Sequence, residues 1–100
     1  MGKPHVEFDR DRLEELSRKY HIRRLALFGS VLREDFRADS DIDVLVEFQP
    51  GAKVGLSFFS LQEELSKMLR RQVDLSTPGF LSPQIRERVE REAWPVYEAA

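Results

Sequence analysis

At 100 residues, with 34% charged side chains and a net charge of -2, the chain is expected to fold as one domain, residues 1–100, around a small core. It has no cysteine, which excludes disulfides, zinc–thiolate centres and thiol nucleophiles. The acidic balance argues against free nucleic acid as a partner. No apolar run reaches the roughly 18 residues of a membrane span, and Met1 to His5 carries no signal-peptide pattern. A cytoplasmic protein with no membrane partner is the expectation.

In chain order, Asp9 or Asp11 is placed to cap a first helix that carries Leu13, Leu16 and Tyr20 on one face. Ile22 to Phe28 reads as a strand, buried from Leu25 onward and broken by Gly29. Ser30 then opens a short helical turn through Val31, Leu32 and Arg33, and Glu34 to Ser40 reads as a charged loop. Ile42 to Phe48 is the clearest strand: Ile42, Val44, Val46 and Phe48 alternate to one face, and Asp41, Asp43, Leu45 and Glu47 to the other. Gln49-Pro50-Gly51 ends it. Leu56 to Arg70 has Phe58, Leu61, Leu65 and Leu69 at helical spacing.

Gln72 to Ser76 reads as a short strand and Thr77-Pro78-Gly79 as a turn. Ser82-Pro83 is an N-cap followed by proline at the first position of a last helix, with Ile85, Val89 and Ala93 four apart. Trp94 to Tyr97 closes the chain as a short strand or a packed tail. The order α-β-α-β-α-β-α predicts an α/β (α+β) fold: a small mixed sheet flanked by about four helices.

Two pieces of this pattern carry chemistry. Asp41 and Asp43 lie two apart at the start of a strand and so project together. Adjacent carboxylates repel unless something positive sits between them, and Mg²⁺ takes one or two carboxylates plus substrate phosphates. Alone, such a pair is an ordinary acidic strand end. Gly29-Ser30, at the end of the other apolar strand, adds a backbone that a ligand can approach without meeting a Cβ, and a hydroxyl that can donate to phosphate. Asp74, between Val73 and Leu75, is a third carboxylate that is costly among aliphatic neighbours unless it faces solvent, a partner or a metal. If its strand lies beside that of Asp41 and Asp43, three carboxylates converge, enough to serve two metal ions about 4 Å apart.

Gly29-Ser30, ten intervening residues and Asp41-Ile42-Asp43 resemble the signature of the DNA polymerase β-like nucleotidyltransferase superfamily. The Ser40-Asp41-Ile42-Asp43 run, Val73-Asp74-Leu75 and the ending from Leu81 through Tyr97 resemble the minimal nucleotidyltransferases, over most of the chain from Leu13 to Tyr97. The resemblance implies phosphate contacts from Gly29 and Ser30, two Mg²⁺ ions on Asp41 and Asp43, and Asp74 completing the metal site and helping to deprotonate the acceptor. It further implies ATP as substrate and AMP transfer to a hydroxyl, a tyrosine, of a HEPN-type toxin that this antitoxin silences within a homo- or hetero-oligomer.

Many relatives carry a basic residue directly after Gly-Ser, whereas here Val31 and Leu32 intervene and Arg33 is the first base, the third nucleotide-binding candidate. The rival expectation is a module of the same fold that binds nucleotide or masks a toxin without catalysis. A polymerase or antibiotic-modifying enzyme is disfavoured, since such proteins generally add a second domain. His5 and His21 have no metal-ligand spacing, Lys53 lies in no P-loop, and Arg70-Arg71 reads as helix-end charge. Phe58, Phe59 and Phe80 read as core or interface, and Trp94 and Tyr97 as core closure or partner anchors.

Overall fold

The computed structural model describes residues 8–32, 37 and 40–99. Helix α1 spans Arg10–Lys19, and strand β1 Ile22–Phe28 runs into a 3-10 turn at Gly29–Leu32. Strand β2 is Ile42–Phe48, helix α2 Ser57–Leu69 and strand β3 Val73–Ser76. A second 3-10 turn at Pro78–Phe80 leads to helix α3, Pro83–Glu92, and strand β4, Trp94–Glu98. The sheet order is β3-β2-β1-β4; β1 pairs antiparallel with β2 and β4, and β3 pairs parallel with β2. None of the described helices is long and apolar enough to cross a membrane.

The mixed sheet is as expected, but the helix count is lower. Among the described residues there are three α-helices rather than four, because the segment after β1 is a single 3-10 turn. Arg33, the loop residues 34–36 and residues 38–39 lie outside the described residues. Asp9, rather than Asp11, caps α1, accepting from the N–H of Asp11 at 3.0 Å and of Arg12 at 3.3 Å. Ser82 caps α3 with Pro83 at the first position, as its sequence suggests. On α3, however, only Val89 is buried; Ile85 is 54% exposed and Ala93 is the C-cap.

The alternation in β2 decides which face of the sheet is covered. Ile42, Val44 and Val46, with Leu25 and Leu27 of β1 and Val73 and Leu75 of β3, form one apolar layer. Leu13 and Leu16 of α1 and Phe58, Leu61 and Leu65 of α2 pack on it. Helix α2 also closes the outer edge of β3. The N–H of Val73 donates to Ser66 Oγ and that of Leu75 to Gln62 Oε1, both at 3.0 Å, so the strand that carries Asp74 is held from its outer side.

Helices α1 and α2 are joined at their polar margin. The Tyr20 hydroxyl donates to Glu64 Oε2, and Lys19 Nζ lies 3.1 Å from the same oxygen. Burial first, then the hydrogen bond to Glu64 and its charge, push the Tyr20 hydroxyl up to about 12. The hydrogen bond from Tyr20, opposed by burial and aided by Lys19, lowers Glu64. Folded Tyr20 holds its proton more tightly than the unfolded chain does, so its stabilisation is complete below pH 10.0 and is lost as the pH rises towards about 12. Folded Glu64 holds its proton more weakly, so its share is present above pH 4.5 and is lost on acidification through its lowered folded value. The difference in Tm between the wild type and Tyr20→Phe should therefore be constant near neutrality and shrink towards strongly alkaline pH. Thermal melts of the two proteins across that range check it, and a difference that grows with pH would exclude this coupling.

Candidate active site

The other face of the sheet is organised in rows by strand register. Nearest one end, Phe28 of β1, Asp43 of β2 and Asp74 of β3 are paired in succession. Behind them stand Ala26, Leu45 and Ser76, with Ala26 and Leu45 buried. Behind those, Arg24 of β1 lies 3.2 Å from Glu47 of β2 and 3.5 Å from Glu98 of β4, and Arg23 lies 2.9 Å from Glu47. The acidic face is thus split. Glu47 is absorbed by two arginines, an apolar floor follows, and Asp43 and Asp74 occupy the end beyond it.

Asp41 immediately precedes β2 and is exposed, Asp43 is half-buried and Asp74 is exposed. The strand of Asp74 does lie beside that of Asp43, the condition on which a role for Asp74 depended: the two residues are direct partners in the parallel register. Neighbouring strands run about 4.8 Å apart. The carboxylates themselves are less tightly gathered. Among the described residues no three Asp, Glu or His side chains form a group that could hold a metal ion. Like charges on directly opposed strand positions repel, which favours side chains turned apart.

Gly29 follows Phe28 and meets Asp43 directly. Its φ is +75°, and a Cβ built on it would overlap Asp43 Oδ2 and lie 3.3 Å from Asp43 Cγ. The missing side chain is therefore the space that the Asp43 carboxylate occupies, so the two ends of the Gly-Ser and Asp-x-Asp pattern face each other. The backbone of Ser30 continues the 3-10 turn, and Val31, fully buried, anchors that turn in the core. Val31, directly after Gly-Ser, is thus a packing residue here, and Arg33 lies outside the described residues.

The segment before Asp41 carries contacts that spacing does not reveal. The Arg37 carbonyl accepts from the Ser40 N–H at 3.1 Å and from Arg71 Nη1 at 2.8 Å, while the Arg37 N–H donates to Ser40 Oγ at 3.0 Å. Arg70 is the left-handed C-cap of α2, with φ 56°, so of the pair read as helix-end charge it is Arg71 that turns towards this segment.

A mixed sheet with Asp-x-Asp at the start of β2, its first Asp just before the strand, opposite a Gly-Ser turn is the framework of a nucleotidyltransferase, and the chain belongs to that family: the nucleotidyltransferase domain model matches residues 10–94. Within the family it is a minimal nucleotidyltransferase, and its relatives are named as protein adenylyltransferases. Protein adenylyltransferase MntA of Thermococcus cleftensis is 35% identical over 79 residues, 79% of this chain and 79% of its own length. "Putative protein adenylyltransferase MJ0435" of Methanocaldococcus jannaschii is 36% identical over 75 residues, 75% of this chain and 80% of its own. Among solved structures, a "putative minimal nucleotidyltransferase" superposes with a TM-score of 0.73 at 37% identity, covering 87% of this chain and 88% of that one. A toxin–antitoxin complex with AMP-PNP shares the fold, with a TM-score of 0.71 at 20% identity over 92% of this chain and 75% of that one.

Proposed function

We propose that this chain transfers AMP from ATP to a tyrosine hydroxyl of a HEPN-type toxin and thereby acts as its antitoxin. The observation that carries the site is Asp43 lodged between Gly29 and Asp74. The choice of acceptor is supported by the relatives named protein adenylyltransferase and by a tri-AMPylated HEPN toxin from Shewanella oneidensis in complex with its MNT antitoxin, which shares this fold.

The donor set suits Mg²⁺: oxygen ligands only, on two side chains of one strand end, with room for a carboxylate that a Cβ on Gly29 would fill. Asp41 and Asp43 would hold the metal, two ions in all, with Asp74 as the further ligand. When bound, the metal would neutralise the triphosphate charge and make the acceptor oxygen more acidic. The chain's own residues position the reactants. The backbone at Gly29 and Ser30 receives the triphosphate, Arg33 is a further phosphate contact, and Asp74 accepts the proton that the acceptor hydroxyl loses. The hydroxyl oxygen forms a bond to the α-phosphorus, the bond from that phosphorus to the bridging oxygen breaks, and pyrophosphate leaves. Alignment of these groups supplies much of the rate.

The deciding experiment incubates ATP labelled at the α- or the γ-phosphate with Mg²⁺, this protein and a HEPN-type partner, the product of the neighbouring gene being the one to try. Label on the partner from the α-position alone is the expected result. No label from either position, with the partner still bound and inhibited, would replace transfer with masking by contact.

A further inference from the structure

Asp41 precedes the first residue of β2, and the backbone on both sides of it is tied to one short segment, Arg71-Gln72. On the C-terminal side, the Ile42 N–H donates to the Gln72 carbonyl at 2.9 Å. On the N-terminal side, Arg71 Nη1 holds the Arg37 carbonyl at 2.8 Å, the same carbonyl that accepts from the Ser40 N–H. Ser40 Oγ in return accepts the Arg37 N–H at 3.0 Å. Arg71 is itself fixed. Its N–H donates to the Ser66 carbonyl at 3.2 Å, at the left-handed end of α2. The Asp41 backbone therefore sits between two anchors on a segment that α2 holds in place.

We infer that Arg71 is a positioning residue for the metal-binding strand end, clamping Arg37, and through it Ser40, so that Asp41 presents its carboxylate beside Asp43. This rests on the reading of Asp41 and Asp43 as metal ligands. A long side chain that donates to a backbone carbonyl fixes that backbone without occupying the site, as outer partners of metal ligands commonly do. Arg71 thus acts on the start of β2, and not merely as charge at a helix terminus.

The test compares wild type, Arg71→Met, Arg71→Lys and Asp41→Asn. Mn²⁺ binding is followed by electron paramagnetic resonance in the presence of a non-hydrolysable ATP analogue, and amide hydrogen exchange is read at Ser40 and Ile42. Arg71→Met should weaken Mn²⁺ binding about tenfold and speed exchange at both amides. Arg71→Lys, which keeps one donor for the Arg37 carbonyl, should recover most of each. Asp41→Asn should weaken Mn²⁺ binding more than Arg71→Met does.

If Asp41→Asn weakens Mn²⁺ binding while Arg71→Met leaves both readouts at wild-type values, the clamp is refuted and the metal site stands. If Arg71→Met instead raises the KM for ATP at saturating Mn²⁺ with Mn²⁺ affinity unchanged, Arg71 contacts nucleotide and the positioning role is refuted. If Asp41→Asn binds Mn²⁺ as the wild type does, the reading of Asp41 as a ligand fails, and the clamp fails with it.

Discussion

Replacing Asp43 by asparagine is expected to lower AMP transfer by about a thousandfold or more while leaving the fold in place. Asp43 is the residue at which the site's components meet: it is opposite Phe28 on β1, opposite Asp74 on β3, and against the Cα of Gly29. Asparagine keeps the shape and one carbonyl oxygen but removes the charge that a divalent cation needs. A thousandfold loss is about 4 kcal/mol in the activation barrier, in the range of removing a charge-stabilising element from a reacting phosphoryl group. The core beneath does not depend on that charge, since Ile42 and Val44, on either side of Asp43, point into the opposite, apolar layer. A far-ultraviolet spectrum and a melt within a few degrees of wild type, beside transfer of α-label reduced to background, are the expected results. Normal transfer by Asp43→Asn would sink the site assignment.

Much of this framework is legible in the sequence because its periodicities are local. Ile42, Val44, Val46 and Phe48 alternate against Asp41, Asp43, Leu45 and Glu47, so the strand and its acidic face follow from the order of residues alone. Helix α3 is less faithful to its spacing. Residues four apart advance about 40° around a helix at each step, so Ile85, Val89 and Ala93 drift across the surface, and only Val89 is buried. β4 reads equally as strand or tail from sequence because it is five residues long with Pro95 inside it, and its pairing with β1 contains an irregularity between Leu25 and Ala26.

The candidate site divides along the same line. The Gly-Ser and Asp-x-Asp pieces each sit at a strand end that local pattern reveals. That they touch depends on the antiparallel pairing of β1 with β2, which is a long-range contact. The partnership of Asp43 with Asp74 depends on a parallel pairing across α2, and no sequence period encodes it. The gathering of three carboxylates into a metal-holding group is a matter of side-chain direction under mutual repulsion, which strand adjacency does not decide. Arg71 is the clearest omission. Its neighbour Arg70 takes the left-handed cap, and that change of backbone direction sends Arg71 to Arg37.

Gly29→Ala should separate the two demands made on one glycine. The backbone demand is a φ of +75°, which an L-residue adopts at a cost of about 1–2 kcal/mol. For a chain of this size that lowers Tm by roughly 4–8 °C per kcal/mol. The second demand is steric and falls on the site, since the new methyl would overlap Asp43 Oδ2. That oxygen is the end of a rotatable side chain, so the clash is relieved by moving the carboxylate rather than by unfolding the strand. A displacement of about 1 Å in a positioning group can cost a hundredfold in rate, and transfer is expected to fall at least that far. Gly51→Ala supplies the comparison: its φ is +83°, yet nothing lies within 4 Å of a Cβ built there. It should show a similar drop in Tm with transfer close to wild type. Equal losses of transfer in the two variants would mean that backbone strain, and not the space beside Asp43, is what Gly29 provides.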